Sequence, residues 1–282
     1  MRLAKVLGAL GRGCITVGTL LLLFVVYQLW GTGIREAQAQ NRLEADFEEL
    51  LDVGDVPTTT PDPETVPSIP AQPEGEVTAV IEIPEIGLEK HVVEGVSVAD
   101  LKKGPGHYPE TPLPGQEGNA AIAGHRTTYG APFNRIDELE KGDEIFVQTL
   151  QGRFRYLVEE QLIVSPSQVE VLEDKGDDRL TLTACHPKYS ARQRIVVVAT
   201  LSGIPLPAAT PTGQVSFEDI SGGGGLWTTI LFGLLCAAIW AFAWALGRLW
   251  RKWPAYLVSL PFFLVGLFYF FEEFSQVLPS NY

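Results

Sequence analysis

Three uncharged, apolar runs dominate the pattern of the chain: Gly13–Ile34, with LLLLFVVYQLW at its centre, Leu226–Gly247, and Trp253–Phe271. A helix needs about 20 apolar residues to cross the hydrocarbon core of a bilayer, so each run predicts a membrane span. Pro254 and Pro261 in the third predict a kink or a frayed start. Trp30, Trp227, Trp250 and Trp253 sit at or near span ends, where amphipathic rings favour the interface. Between the first and second runs the pattern changes to short, alternating or β-branched stretches. TAVIEIP (78–84), LEKHVV (88–93), NAAIAGH (119–125), EIFVQTL (144–150), RFRYLVEEQLIV (153–164), RLTLTAC (179–185) and RIVVVATL (194–201) read as strands bounded by turn residues. FNRIDELEKGD (133–143) and PSQVEVLED (166–174) read as single helical turns or short helices. Many short strands with so little helix predict a closed β-barrel rather than a parallel sheet.

These changes of pattern mark the domains. Residues 1–35 form a cytoplasmic start and an N-terminal anchor, and 36–76 a short stalk followed by a linker rich in Pro, Thr and acid. Residues 77–205 form one compact domain, 206–225 a Gly-rich linker, 226–271 a transmembrane hairpin, and 272–282 a tail. Ala37-Gln38-Ala39 offers a small-x-small cleavage site, but the long apolar run and the intervening Arg35-Glu36 favour an uncleaved anchor.

Charge adds an orientation. Arg2, Lys5 and Arg12 precede the first span, and Arg248, Arg251 and Lys252 fill the turn between the other two. Positive residues stay on the cytoplasmic side, which places residues 35–225 and the tail outside the cell membrane. The net charge is −13; setting aside +3 from the first 30 residues and +1 from residues 226–282 leaves −17 on the exported part. That surface argues against nucleic acid or anionic lipid as a partner.

Of three cysteines, Cys14 and Cys236 lie in or beside spans, so Cys185 is alone in the exported part. It has no disulfide partner there, and no metal-ligand spacing accompanies it. No metal or cofactor is expected. A lone thiol after a strand is often a small buried hydrophobe. Here the next residues are the polar run CHPKYSARQR, and on an alternating strand Arg192 and Arg194 share a face. Nearby positive charge favours a thiolate nucleophile, and acyl transfer then needs a histidine to manage protons. His186 adjoins Cys185 but points to the opposite face of an extended strand. His91 reads as a half-exposed strand residue. His125, delivered by the end of an apolar strand, and His107, in the Gly- and Pro-rich KGPGHYPETPLPG, remain the candidates.

TLTACHPKYSARQR resembles the strand–Cys–loop–Arg signature of sortases, the cysteine transpeptidases of Gram-positive surfaces, whose motif runs Thr-Leu-x-Thr-Cys. NAAIAGHRTTYGAPF resembles the family's histidine segment, and F-x-x-I-x-x-L-x-x-GD from Phe133 to Asp143 fits the stretch that comes next in the family. The wording of CHPKYSARQR and GPGHYPETPLPGQEGN is most similar to class E sortases of actinobacteria, over roughly residues 78–203. The resemblance implies an eight-stranded barrel with Cys185 as nucleophile, His125 as general acid/base and Arg194 as third member, Arg192 being auxiliary or structural. It implies a membrane-anchored enzyme that cleaves the Thr–Gly bond of an LPxTG-like, by class LAxTG, sorting signal on surface proteins. The acyl group would pass through a thioester to an amine of a peptidoglycan precursor or pilin. Two departures stand out. The threonine before the cysteine is Ala184, and Asp62-Pro63 is followed by Glu64 rather than the aromatic residue of a pilus-type lid. The rivals are an exported thiol protease, an L,D-transpeptidase and a non-catalytic barrel scaffold.

Overall fold

The computed structural model describes residues 2–53, 72–207, 226–249 and 252–277. Most of the two expected linkers (54–71, including Asp62-Pro63, and 208–225), Trp250 and Arg251 of the hairpin turn, and the end of the tail at 278–282 lie outside the described residues. The chain divides into two units, residues 1–31 with 223–280, and residues 32–222 with the last two.

The first unit contains helix α1 (Arg2–Val26), a π-helical turn at Tyr27–Gly31, α4 (Leu226–Leu249) and α5 (Lys252–Val277). Helices in all three apolar regions are long and apolar enough to cross a membrane. Tyr27, Cys236, Leu267 and Phe271 form a buried cluster, so Cys236 packs as a small hydrophobe. Pro254 falls in the first turn of α5, where its missing N–H costs nothing. The helix runs on through Pro261.

The second unit is an eight-stranded closed barrel that also carries one short helix, α3 (Val98–Leu101). Its strands are β1 (Val77–Ile83), β2 (Leu88–Glu94), β3 (Gly106–His107), β4 (Asn119–Ala123), β5 (Glu144–Thr149), β6 (Gly152–Val164), β7 (Arg179–His186) and β8 (Gln193–Leu201). Around the barrel the order is β1-β2-β3-β4-β7-β8-β6-β5. Seven of these are the strands that alternation predicts. The eighth, β3, has two residues and no alternation to betray it. Its Gly106 approaches Gly95 so closely that a Cβ would collide with the Gly95 carbonyl.

Period-two alternation sorts the strands into two faces. Ala79, Ile81, Ile83, Val92, Ala120, Ile122, Ile145, Val147, Phe154, Tyr156, Leu180, Leu182, Ala184, Ile195, Val197 and Ala199 fill the interior. Phe133, Ile136 and Leu139 join them. Their three-residue spacing brings them onto one side of a tight turn, and the expected helix at 133–143 is a 3-10 turn at Ile136–Glu138. The second expected helix likewise shrinks to a 3-10 turn, Val169–Val171.

The helix after the π turn, α2 (Thr32–Val53), differs from a free stalk. Thr32, Glu36, Gln40, Leu43 and Phe47 are all buried, and Leu43 and Phe47 pack with Val77 of β1 and Val93 of β2. Spacings of three and four place the five side chains on one helix face.

Candidate active site

Three adjacent strands carry the predicted residues. β7 and β8 are antiparallel, and Cys185 pairs directly with Arg194. β4 and β7 are parallel, with Ala123 opposite Thr183, and the Gly124 N–H donates to the Thr183 carbonyl at 3.0 Å. Two further residues along each strand give His125 and Cys185. Because Leu182 and Ala184 face inward, Thr183 and Cys185 face outward, as do His125 beyond Ala123 and Arg194 opposite Cys185. His125, Cys185 and Arg194 thus converge on the outer face of β4-β7-β8.

The environments differ. Cys185 is half-buried, and burial pushes its thiol up, against the pull of Arg194 and then Arg126. His125 is buried, and burial together with the Lys102 charge lowers its proton affinity to about 3. At neutral pH the two shifts favour a neutral imidazole and a neutral thiol. Arg194 is buried and donates from Nη1 to the carbonyls of Ala191 and Gln193 at 3.2 and 3.3 Å. Arg192 stands in the loop before β8, exposed, and so does not share a strand face with Arg194.

Sequence reasoning passed over Arg126. Its buried guanidinium pairs with Asp137 at 2.7 Å. It also donates to the Cys185 carbonyl at 3.3 Å and to Nδ1 of His186 at 3.1 Å. Asn134 donates to the Arg126 carbonyl at 2.8 Å and closes the loop. Burial acts to raise the Asp137 carboxyl, but the Arg126 hydrogen bond and charge outweigh it and hold the carboxyl below its usual range. The signal in the sequence was only an arginine directly after the histidine that ends an apolar strand. Tyr108 was missed too; its hydroxyl lies 3.4 Å from that of Thr183, and burial pushes its pKa to about 12.

His107 is placed elsewhere. It is fully buried in β3, with Nδ1 donating to Glu94 at 3.0 Å and Nε2 to the Pro112 carbonyl at 2.9 Å. An oxygen acceptor faces each ring nitrogen, an arrangement that favours the protonated ring. Burial works against that charge, and Glu94 outweighs burial to raise the proton affinity. Because the folded value lies above the unfolded one, this stabilisation is complete below the unfolded pKa of about 6.5 and fades as pH rises through the folded value. Glu94→Gln leaves a buried cation uncompensated, and we expect a loss of about 3–5 kcal/mol, read as a fall in the midpoint of thermal unfolding at pH 6. An unchanged midpoint would show that the pair is worth nothing. His91 on β2 rests edge-on against Phe47, 5.9 Å between ring centres.

Residues 81–202 match the Sortase domain family. Over 218 residues the chain is 31% identical to Sortase SrtE2 of Streptomyces coelicolor, an alignment covering 69% of this chain and 81% of that protein. The chain belongs to the sortase family. Sortases are cysteine transpeptidases. This sortase is also 35% identical over 205 residues to Sortase SrtE1 of the same organism, covering 67% of this chain and 55% of the relative, so it matches little more than half of that protein's length. Among solved structures, sortase E from Streptomyces avermitilis is 36% identical, with a TM-score of 0.43, over 48% of this chain and 93% of that one.

Proposed function

We propose that this sortase is a membrane-anchored transpeptidase in which Cys185 is the nucleophile, His125 the general acid/base and Arg194 the oxyanion partner. The observation that carries the reading is the register: Cys185 pairs with Arg194 on β7-β8, and His125, two residues past the Ala123–Thr183 pair that ends β4, continues that register to the level of Cys185. The reacting pair starts neutral. As the Cys185 sulfur attacks the Thr–Gly carbonyl of a sorting signal, its proton passes to His125, and the two arginines stabilise the sulfur's charge during transfer. The carbonyl oxygen gains negative charge opposite Arg194, where a charge-assisted donor is worth most. The C–N bond breaks, His125 returns the proton to the leaving amine, and a thioester remains on Cys185. An incoming amine gives up a proton to His125 as it attacks the thioester. The new amide forms, and the thiolate recovers the proton.

Ala184 is buried against the interior, so the hydroxyl of the family's threonine has no counterpart at that position. Backbone donors must serve there. The preferred signal is Leu-Ala-x-Thr-Gly on exported surface proteins, the acceptor is a peptidoglycan-precursor or pilin amine, and the barrel stands outside the cell membrane. The test uses the full chain in detergent with Leu-Ala-x-Thr-Gly and Leu-Pro-x-Thr-Gly peptides and a glycine-type amine, the products being read by mass spectrometry. An amine-capped peptide supports the reading, and the better peptide identifies the signal. Hydrolysis that added amine does not divert would make the protein a thiol protease.

A further inference from the structure

Beside the end of β4 three side chains form a stack. The Tyr129 ring lies 5.3 Å from the His125 ring, and Lys102 Nζ lies 5.7 Å from the Tyr129 ring centre. Tyr129 is buried and has a φ of 48°, a left-handed conformation that a bulky residue adopts only when its surroundings enforce it.

The restraint comes from α2. The Tyr129 N–H donates to Thr32 Oγ1 at 3.2 Å, and Thr32 is 1% exposed. One turn further, Glu36 pairs with Lys90 at 2.6 Å. The Glu36 carboxylate also fills the space above Gly130, where a Cβ would come within 2.5 Å of it. Another turn on, Gln40 donates to the carbonyls of Lys103 and His91 at 2.8 and 3.0 Å and accepts the His91 N–H at 2.9 Å. A Cβ on Gly104 would collide with the same carboxamide. The helix therefore grips the stack at its middle member, Tyr129, through Thr32, and beside its Lys102 end through Gln40. A spacer would gain nothing from burying a threonine, a glutamate and a glutamine on one face, since buried polar groups stabilise only when their partners are in place.

We propose that α2 is a working part of the active site, with Thr32 and Gln40 as positioning residues that hold the Lys102–Tyr129–His125 stack at Cys185. The proposal rests on the transpeptidase reading for its kinetic consequence, but its structural consequence can be read without turnover.

The experiment uses the full chain in detergent micelles, labelled with ¹³C-histidine. The sequence has four histidines, so each protonated ring carbon, Cδ2 or Cε1, gives four signals. Thr32→Val removes the acceptor at nearly constant volume. The expected result is a displaced His125 signal with those of His107 and His186 in place. We further expect kcat to fall about tenfold, with KM and the iodoacetamide rate at Cys185 near wild type, as befits a misplaced proton-transfer group rather than a lost binding contact. Thr32→Ser, which keeps the hydroxyl, restores both signals and rate. Should Thr32→Val fail to fold, Thr32→Ala and Thr32→Ser form the comparison. A His125 signal and a kcat that stay at wild-type values while thermal stability drops would reduce α2 to a docking helix and overturn the proposal. If the wild-type chain turns over no peptide, the transpeptidase reading fails, and the His125 signal alone still decides whether α2 positions the ring.

Discussion

Cys185→Ala is expected to abolish both transpeptidation and hydrolysis while leaving the thermal unfolding midpoint nearly unchanged. The two halves of this expectation have separate causes. Cys185 faces outward from β7, half-buried, and the interior at this level is filled by its neighbour Ala184. Removing one sulfur from the outer face opens no cavity in the core, so stability should hold. Chemistry cannot proceed, because no other nucleophile stands opposite Arg194 in the β7-β8 register. When the nucleophile of a cooperating set is removed, the loss is on the order of 10⁶-fold in kcat, and the remaining members cannot act in its place. Mass spectrometry should show no acylated protein and no amine-capped peptide. Residual turnover within a factor of ten of wild type would sink the assignment of Cys185.

Arg194→Ala should cost about 10²- to 10³-fold in kcat, the usual size of effect when one oxyanion donor is lost. A second signature separates this residue from an inert structural cation. Arg194 is the larger of two influences that pull the Cys185 thiol down against burial, Arg126 being the other. Its removal should therefore raise the thiol further, and the pH at which iodoacetamide reacts at half its maximal rate should move upward. Thiolate is the reactive form, so at any pH below that midpoint the variant reacts more slowly than wild type. Arg194→Lys keeps a charge but not the planar fork that rests on the carbonyls of Ala191 and Gln193. It should recover the alkylation midpoint better than it recovers kcat. A variant with normal kcat would remove Arg194 from the mechanism whatever its effect on the thiol.

Period-two alternation carried most of the fold. Seven strands were legible because each is long enough for inward and outward residues to be told apart. β3 escaped because two residues cannot show a period and its position depends on a glycine that lets two backbones meet. Local pattern put His125, at the end of an apolar strand, ahead of His107 in its Gly- and Pro-rich loop, but both follow a glycine and the pattern alone kept both as candidates. What separates them is distant in sequence. Glu94, on the neighbouring strand, lies beside His107 and occupies its ring, whereas the β4–β7 register carries His125 toward Cys185. Arg126 was hidden for the same reason, because its partners Asp137, Cys185 and His186 come from other parts of the chain. The reading of 36–51 as a stalk came from its helical composition. Its buried face is half polar, and the hydrophobic pattern that marks docked helices therefore reached only Leu43 and Phe47.

The alternation of β4, β7 and β8 has a practical consequence. Ile122, Leu182, Ala184, Ile195 and Val197 belong to the interior, while Ala123, Thr183, Cys185 and Arg194 belong to the outer face. A library that repacks the barrel for heat tolerance and one that reshapes peptide preference can therefore draw on interleaved, non-overlapping codons of the same three strands. The two libraries can be screened apart and their winners combined.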